Sequence, residues 1–297
     1  MKRFLLAAFV GLATCLVLPA QAGFDEGKAA YERGDYAVAL REWRLPAEQG
    51  DAKSQFMLGI MYEKGWGVTQ DSAKAVKWFR KAAEQGVALA QYNLGVMYAN
   101  GQGIAKDDDE TVWWIRKAAE QGYAQAQYTL ALTYAKGRGV AQDNSQAVKW
   151  FRKAAEQGYA LAQYNLAFMY TGGLGTTKDN AEAVKWYRKA AEQGVALAQY
   201  TLGLAYEKGQ GVDMDDGWAV RWYRKAAEQG YAQAQYTLGN RHSAIQDYVQ
   251  ALMWFNLAAA KGEENARKRR DNVAKKMTPA QIAEAQRLAR EWRPKKP

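Results

Sequence analysis

The phrase KAAEQG and its close variants recur behind a tryptophan, and the closing glycines Gly50, Gly86, Gly122, Gly158, Gly194 and Gly230 fall 36 residues apart. Self-similarity at one fixed period of this size restricts the chain to stacked repeats. A single unit of this length cannot bury its own apolar face, so its neighbours must supply the missing contact area. The 297 residues therefore spread one core along an axis instead of closing several globules.

One period can be read residue by residue. After Gly86, Ala88 to Tyr98 place Ala90, Leu94 and Tyr98 at four-residue steps, which predicts a helix with those three on one face. Gly101 and Gly103 stop it. Asp107 then predicts an N-cap with Glu110 as its capping-box partner, and the pairs Asp143/Gln146 and Asp179/Glu182 repeat the signal. In the second helix Ala147, Phe151, Ala154 and Ala155 take one face and Lys149, Arg152 and Lys153 the other. Gly59, Gly95, Ala131, Ala167, Gly203 and Gly239 hold one place in the first helix. Glycine inside a helix costs roughly 1 kcal/mol relative to alanine, so a neighbouring Trp or backbone is expected to need the space.

These residues resemble the Sel-one-like repeat family, a relative of the tetratricopeptide solenoids. Leu94-Gly95-Val96-Met97-Tyr98, Gly139-Val140, Asp143 and the run Trp150 to Gly158 carry the resemblance, which spans about residues 51 to 262. It implies an all-α fold, an α/α solenoid whose antiparallel helix pairs wind into a right-handed superhelix. It also implies scaffolding, envelope-assembly or host-contact roles, without selecting one.

The two ends depart from the period. Lys2 and Arg3, the apolar run Phe4 to Leu18 and the small-residue signal Ala20-Gln21-Ala22 predict a secretory signal peptide over residues 1–22, cleaved after Ala22. Periplasmic or secreted localisation follows as an expectation. Cys15 is the one cysteine, so a mature chain from Gly23 has no disulfide and no thiol-based site. Residues 23–50 predict a capping hairpin of tetratricopeptide type, with Gly34-Asp35 as break and N-cap and with Tyr36, Ala39 and Trp43 at helical spacing. The repeat beginning at Tyr231 lacks four residues and the GxG turn, so Asn240 to Gln246 should form a tighter or irregular connection. Residues 263–297 predict two more helices, the second opened by Thr278 with Pro279 and Gln281, and these are expected to cap the far end of the solenoid. Residues 261 to 297 carry 12 Lys/Arg against 5 Asp/Glu, so basicity belongs to this end.

The chain offers no catalytic constellation. It has one histidine, His242, placed in the shortened connection as a solvated loop residue, and no HExxH, GxSxG or P-loop pattern. No cofactor or metal is expected, and the reading is that of a protein without enzymatic activity. A cell-wall hydrolase would need free acid/base carboxylates, and the repeated aspartates are assigned to N-caps. The recurring Trp and Tyr rings are read as core before carbohydrate stacking, and the lysines and arginines of the second helices as solvated charges near Glu84 or Glu156.

What remains is a surface. Gln125 and Gln233 stand in one varying row of the first helices, and Asn93, Thr129, Asn165, Thr201 and Thr237 in a second row four residues on. By analogy with related solenoids, first helices line the concave side, and the Asn/Thr row would present donors and acceptors to a partner protein or peptide. Val96, Leu132, Phe168 and Leu204 lie beside it, buried in a tight stack and adhesive if exposed. The leading expectation is an exported scaffold that binds another protein. The alternative is a binder of anionic envelope polymer (glycan, peptidoglycan or lipid head groups) through Arg267, Lys268, Arg269, Arg270, Lys275 and Lys276. Specific nucleic-acid binding is not expected of an exported chain, nor is a transmembrane span in the mature one.

Overall fold

In a computed structural model, which describes residues 19–295, the chain is built of α-helices. The apolar run and cleavage motif of the predicted leader, and Cys15 with them, lie outside the side chains described. The described residues fall into two compact units divided between Gln121 and Gly122. The first holds α1 (Pro19–Glu32), α2 (Tyr36–Glu48), α3 (Ala52–Lys64), α4 (Ser72–Glu84), α5 (Ala88–Asn100) and α6 (Asp108–Glu120). The second holds α7 (Ala124–Lys136), α8 (Asn144–Glu156), α9 (Ala160–Gly172), α10 (Asn180–Glu192), α11 (Ala196–Lys208), α12 (Asp216–Glu228), α13 (Ala232–Ala244), α14 (Tyr248–Ala260), α15 (Glu264–Ala274) and α16 (Pro279–Glu291). Up to α14, each helix within a unit packs on the one before it and the one after it, the arrangement of an α/α solenoid.

The turns explain the period. Gly101 ends α5 at φ 66°, its N–H returning to the Met97 and Tyr98 carbonyls. Gly67, Gly103, Gly175 and Gly211, the second glycines of their GxG turns, sit against the backbone that opens the preceding second helix. A Cβ on Gly175, at φ 67°, would stand 2.2 Å from the Asn144 carbonyl carbon, so this turn is a packing element between successive repeats.

Helix starts follow the aspartates. Asp107 accepts from the Asp109 and Glu110 backbone N–H groups, Asp143 from Gln146 and Asp179 from Glu182. The reciprocal half of the expected capping boxes is different. Glu110 and Glu182 turn instead to the indole N–H of Trp114 and Trp186, one turn on, at 2.9 Å in both cases. A complete capping box forms at Thr278 and Gln281.

The deepest side chains lie one residue beyond the tryptophans, of which Trp114, Trp186, Trp222 and Trp254 are buried with them. Phe79, Ile115, Phe151, Tyr187, Tyr223 and Phe255 are buried with the alanines of their helices. These side chains, rather than a tryptophan, need the space at the small-residue position: a Cβ on Gly59, Gly203 or Gly239 would meet the ring of Phe79, Tyr223 or Phe255 within 2.7 Å. Ala131 and Ala167 show the same place accommodating a methyl group beside Phe151 and Tyr187.

Six glutamines, Gln55, Gln91, Gln127, Gln163, Gln199 and Gln235, are buried in the first helices. The carboxamide N–H of Gln163 donates to the Ala155 carbonyl at 3.1 Å, and its oxygen accepts from Gln193 at 2.8 Å. Gln55, Gln91 and Gln199 repeat both bonds. The KAAEQG phrases that end at Gly86, Gly158, Gly194 and Gly230 thus each supply a carbonyl and a carboxamide to buried amides. The series stops at Gln235, whose oxygen has no partner because Lys261 stands where the next glutamine would be.

In the second unit, α15 packs on α14 and touches α13, and α16 lies against α14. The chain then returns to the end of α12, where the Lys295 N–H donates to the Glu228 carbonyl at 2.8 Å and its ammonium pairs with the Glu228 carboxylate at 3.0 Å.

Candidate partner-binding face

In the second unit the first helices α7, α9, α11 and α13 bury the stripe that holds Gln127, Leu130, Gln163, Leu166, Gln199, Leu202, Gln235 and Leu238. The stripe left open carries Gln125, Thr129 and Leu132 on α7, Leu161, Asn165 and Phe168 on α9, Leu197, Thr201 and Leu204 on α11, and Gln233, Thr237 and Asn240 on α13. None of these side chains is charged. Phe168 is 50% exposed, Leu161 44% and Leu197 38%, whereas Leu132 and Leu204 are half-buried against the core. The open stripe is therefore apolar and amidic.

Its polar row is arranged differently from the expectation. The hydroxyls of Thr129, Thr201 and Thr237 donate back to the carbonyls of Gln125, Leu197 and Gln233 at 2.8–2.9 Å, and the Asn165 carboxamide donates to the Leu161 carbonyl at 2.8 Å. These donors are engaged, so the row offers mainly oxygen acceptors. Gln125 accepts from the Tyr123 hydroxyl, and Gln233 donates to Glu263 at the N-cap of α15, so neither stands free. Asn93 lies half-buried on α5, in the first unit.

Beside this row runs a series of tyrosines that the spacing alone assigned to the core. Tyr128 and Tyr164 are half-buried, with centroids 5.9 Å and 5.5 Å from Phe151 and Tyr187. Burial pushes both hydroxyls up, with Tyr159 and Tyr231 adding to the rise, and hydrogen bonds with Asn165 and Thr201 partly offset it. Tyr200 and Tyr231 continue the series at 5.3 Å. The raised Tyr128 and Tyr164 phenols remain neutral at physiological pH and extend the uncharged face.

The second helices present the opposite character. Lys81, Lys153, Lys189 and Lys225 hold their ammonium groups 4.2–4.5 Å over Trp78, Trp150, Trp186 and Trp222. Rings, rather than Glu84 or Glu156, position Lys81 and Lys153. Arg80, Arg152 and Arg188 donate to the hydroxyls of Tyr98, Tyr170 and Tyr206. His242 takes the tyrosine's place beside Arg224. It lies in the last turn of α13, 20% exposed, with Nδ1 3.1 Å from Asp247, and is not a solvated loop residue. The shortened connection is tight: Gln246 adopts φ 62° and Asp247 caps α14.

The basic end is dispersed. Arg267, Lys268, Arg269 and Lys275 are exposed, Arg270 pairs with Asp271 at 2.9 Å and Lys276 lies 5.7 Å from the Tyr248 ring. Seven residues make two helical turns, so Lys268 on α15 and Lys275 at its C-cap fall on one stripe, with Arg267 on one flank and Arg269 on the other. Among the described residues no group of His, Cys, Asp and Glu could hold a metal ion, and no helix is long and apolar enough to cross a membrane.

Ordered helix hairpins with glycine turns and an uncharged first-helix face define an α/α repeat protein of the tetratricopeptide-related type. The chain belongs to the Sel1 repeat family, whose description, Sel1 repeat, matches residues 52–87, 88–123, 124–159, 160–195, 196–231 and 232–263. It is similar to a Sel1 repeat protein from Oxalobacter formigenes, at 35% identity and a TM-score of 0.70, over 74% of this chain and 90% of that one. A protective antigen of uropathogenic Escherichia coli with an SLR fold is 32% identical, with a TM-score of 0.42, over 93% of this chain and 76% of that one. Cysteine rich protein B of Helicobacter pylori is 25% identical, with a TM-score of 0.36, over 43% of this chain and 92% of that one. No curated protein matches the chain. Sel1 repeat proteins are in general protein-interaction scaffolds.

Proposed function

We propose that this protein is an exported, non-enzymatic scaffold that holds an extended, largely uncharged segment of another protein along α7, α9, α11 and α13. The observation that carries the reading is the open stripe of these helices, where Leu161, Phe168 and Leu197 are exposed and the adjoining side chains are uncharged. Apolar area of this kind supplies binding energy when covered, and the Thr and Asn oxygens beside it accept from a partner's backbone N–H groups. Lys2, Arg3 and the Ala20-Gln21-Ala22 motif support export to the periplasm or beyond.

The test is capture of partners from cell-envelope fractions by the wild-type chain and by a Phe168→Glu, Leu197→Glu variant of equal melting temperature. A protein retained by the first and lost from the second supports the function. Equal retention, or no reproducible partner for folded bait, refutes it. The unpaired cations of α15 support a second role, attraction to anionic envelope polymer. That role requires salt-sensitive binding that disappears with residues 263–297.

A further inference from the structure

In the first unit, Tyr62 of α3 and Lys74, Lys77, Trp78, Arg80 and Lys81 of α4 line a cleft of about 530 Å³, within the range of small-molecule sites. Four of the six are cations, and no carboxylate lines it. The Tyr62 and Trp78 rings are half-buried, so they form a fixed apolar floor. The same rings position two of the charges: the Lys81 ammonium lies 4.3 Å from the Trp78 centroid and that of Lys74 5.5 Å from the Tyr62 centroid. Arg80 is held by the Tyr98 hydroxyl. Lys77 is exposed and has no partner.

The other repeats show what is particular here. Four residues before the tryptophan stand Glu110 and Glu182 in two of them, and each carboxylate accepts the indole N–H, of Trp114 and Trp186. Lys74 occupies that place in the α3/α4 repeat. The substitution replaces a negative charge by a positive one and leaves the Trp78 N–H as an unused donor beside the cations. Asp71 pairs with Lys74 at 3.3 Å and also caps α4, where the Lys74 backbone N–H holds its carboxyl below the usual range. Past Arg80 the surface turns acidic, with Asp109 and Glu110 lining the neighbouring cleft.

We propose that this cleft binds an acidic saccharide, one or two sugar units bearing a carboxylate, phosphate or sulfate. The ammonium groups, compact charges with freely turning donors, meet the anionic oxygens. On binding, the Lys81 ammonium leaves the Trp78 face for an anionic oxygen, so that the ring takes the sugar's C–H face and the free indole N–H takes a hydroxyl. Asp109 and Glu110 bound the site, so a long polyanion gains nothing by extending past Arg80. This site shares no residue with the proposed protein-binding face or with the basic α15.

Calorimetric titration of the full chain at low salt with digalacturonate, lactose and triglutamate tests it. Digalacturonate is expected to bind at least about tenfold more tightly than either comparator, the loss of one charge-assisted contact or of the ring contact being worth about that factor. Lys77→Glu and Lys74→Glu, the latter installing the residue that two other repeats carry, are each expected to weaken it about tenfold with unchanged melting. Phe168→Glu leaves it unaffected, which separates this site from the protein-binding face. Absence of heat with millimolar digalacturonate overturns the proposal. Lactose or triglutamate binding equally well overturns the ligand class, and loss with Lys268→Glu, Lys275→Glu but not with Lys77→Glu overturns the site.

Discussion

The buried glutamines permit a comparison inside one chain. Gln163→Leu removes the bond to the Ala155 carbonyl and the bond from Gln193. The Ala155 carbonyl keeps its bond from the Gly158 N–H at 3.0 Å, so it is not stranded. Two net hydrogen bonds at about 1 kcal/mol each make the expected cost about 2 kcal/mol. Gln235→Leu at the equivalent position removes one bond, to Ala227 at 3.1 Å, and also removes a buried oxygen that has no partner. Relief of that orphan is worth about 1–3 kcal/mol, which offsets the lost bond and brings the expected change near zero or into stabilisation. Equilibrium urea unfolding followed by far-ultraviolet circular dichroism measures both variants against the wild type. A difference of about 2 kcal/mol supports the reading of these amides as the connection between successive repeats. Equal costs, or a larger cost at Gln235, refute it.

Three further outcomes follow from named residues. Burial raises the Tyr187 phenol from 10.0 to about 12, with the Thr171 hydrogen bond lowering it in part and the Tyr164 phenol adding a smaller rise. Its proton is held more tightly folded than unfolded, so its contribution is complete below pH 10 and is lost as pH rises to about 12. Roughly 2–3 kcal/mol should disappear across that window and Tyr187→Phe should abolish this component, as read from urea midpoints against pH. Gly175→Ala places a methyl group 2.2 Å from Asn144 at a left-handed φ, and a loss of more than about 2 kcal/mol in thermal unfolding is expected. Trp222 has a buried indole N–H without a partner, and Trp218→Glu should supply one as Glu182 does for Trp186, raising stability by about 1 kcal/mol after the stacking of Trp218 on Tyr206 is lost.

Much of the fold was legible because each local signal repeats at the same phase. The glycine pairs, the capping aspartates and the alanine faces all predict elements that the structure contains. The buried glutamines were not legible, since Gln91 or Gln163 reads as an exposed polar residue until the KAAEQG carbonyl and carboxamide are seen to meet it. The tryptophans were assigned to the core by their recurrence, and Trp114, Trp186 and Trp222 are buried there, whereas Trp78 and Trp150 are half-buried and serve as seats for lysines. Of the candidate face, the position of the Thr and Asn row was legible but its hydrogen bonding was not. A threonine in a helix can turn its hydroxyl to solvent or to the carbonyl four residues back, and pattern alone does not choose. The exposure of Phe168 likewise depends on neighbouring helices. The cleft by Trp78 was hidden by the repeat itself, because Lys74 becomes distinctive only when Glu110 and Glu182 are seen bonding their indoles.

The central claim is that the first-helix face of the second unit receives a protein partner. Site-specific photocrosslinking in intact cells tests it most directly, with a photoreactive phenylalanine analogue placed at Phe168 or, on the second-helix face, at Lys149. Adducts to one reproducible protein from position 168 and none from position 149 are predicted. Adducts from 149 alone, or from neither position in folded protein, would contradict the account.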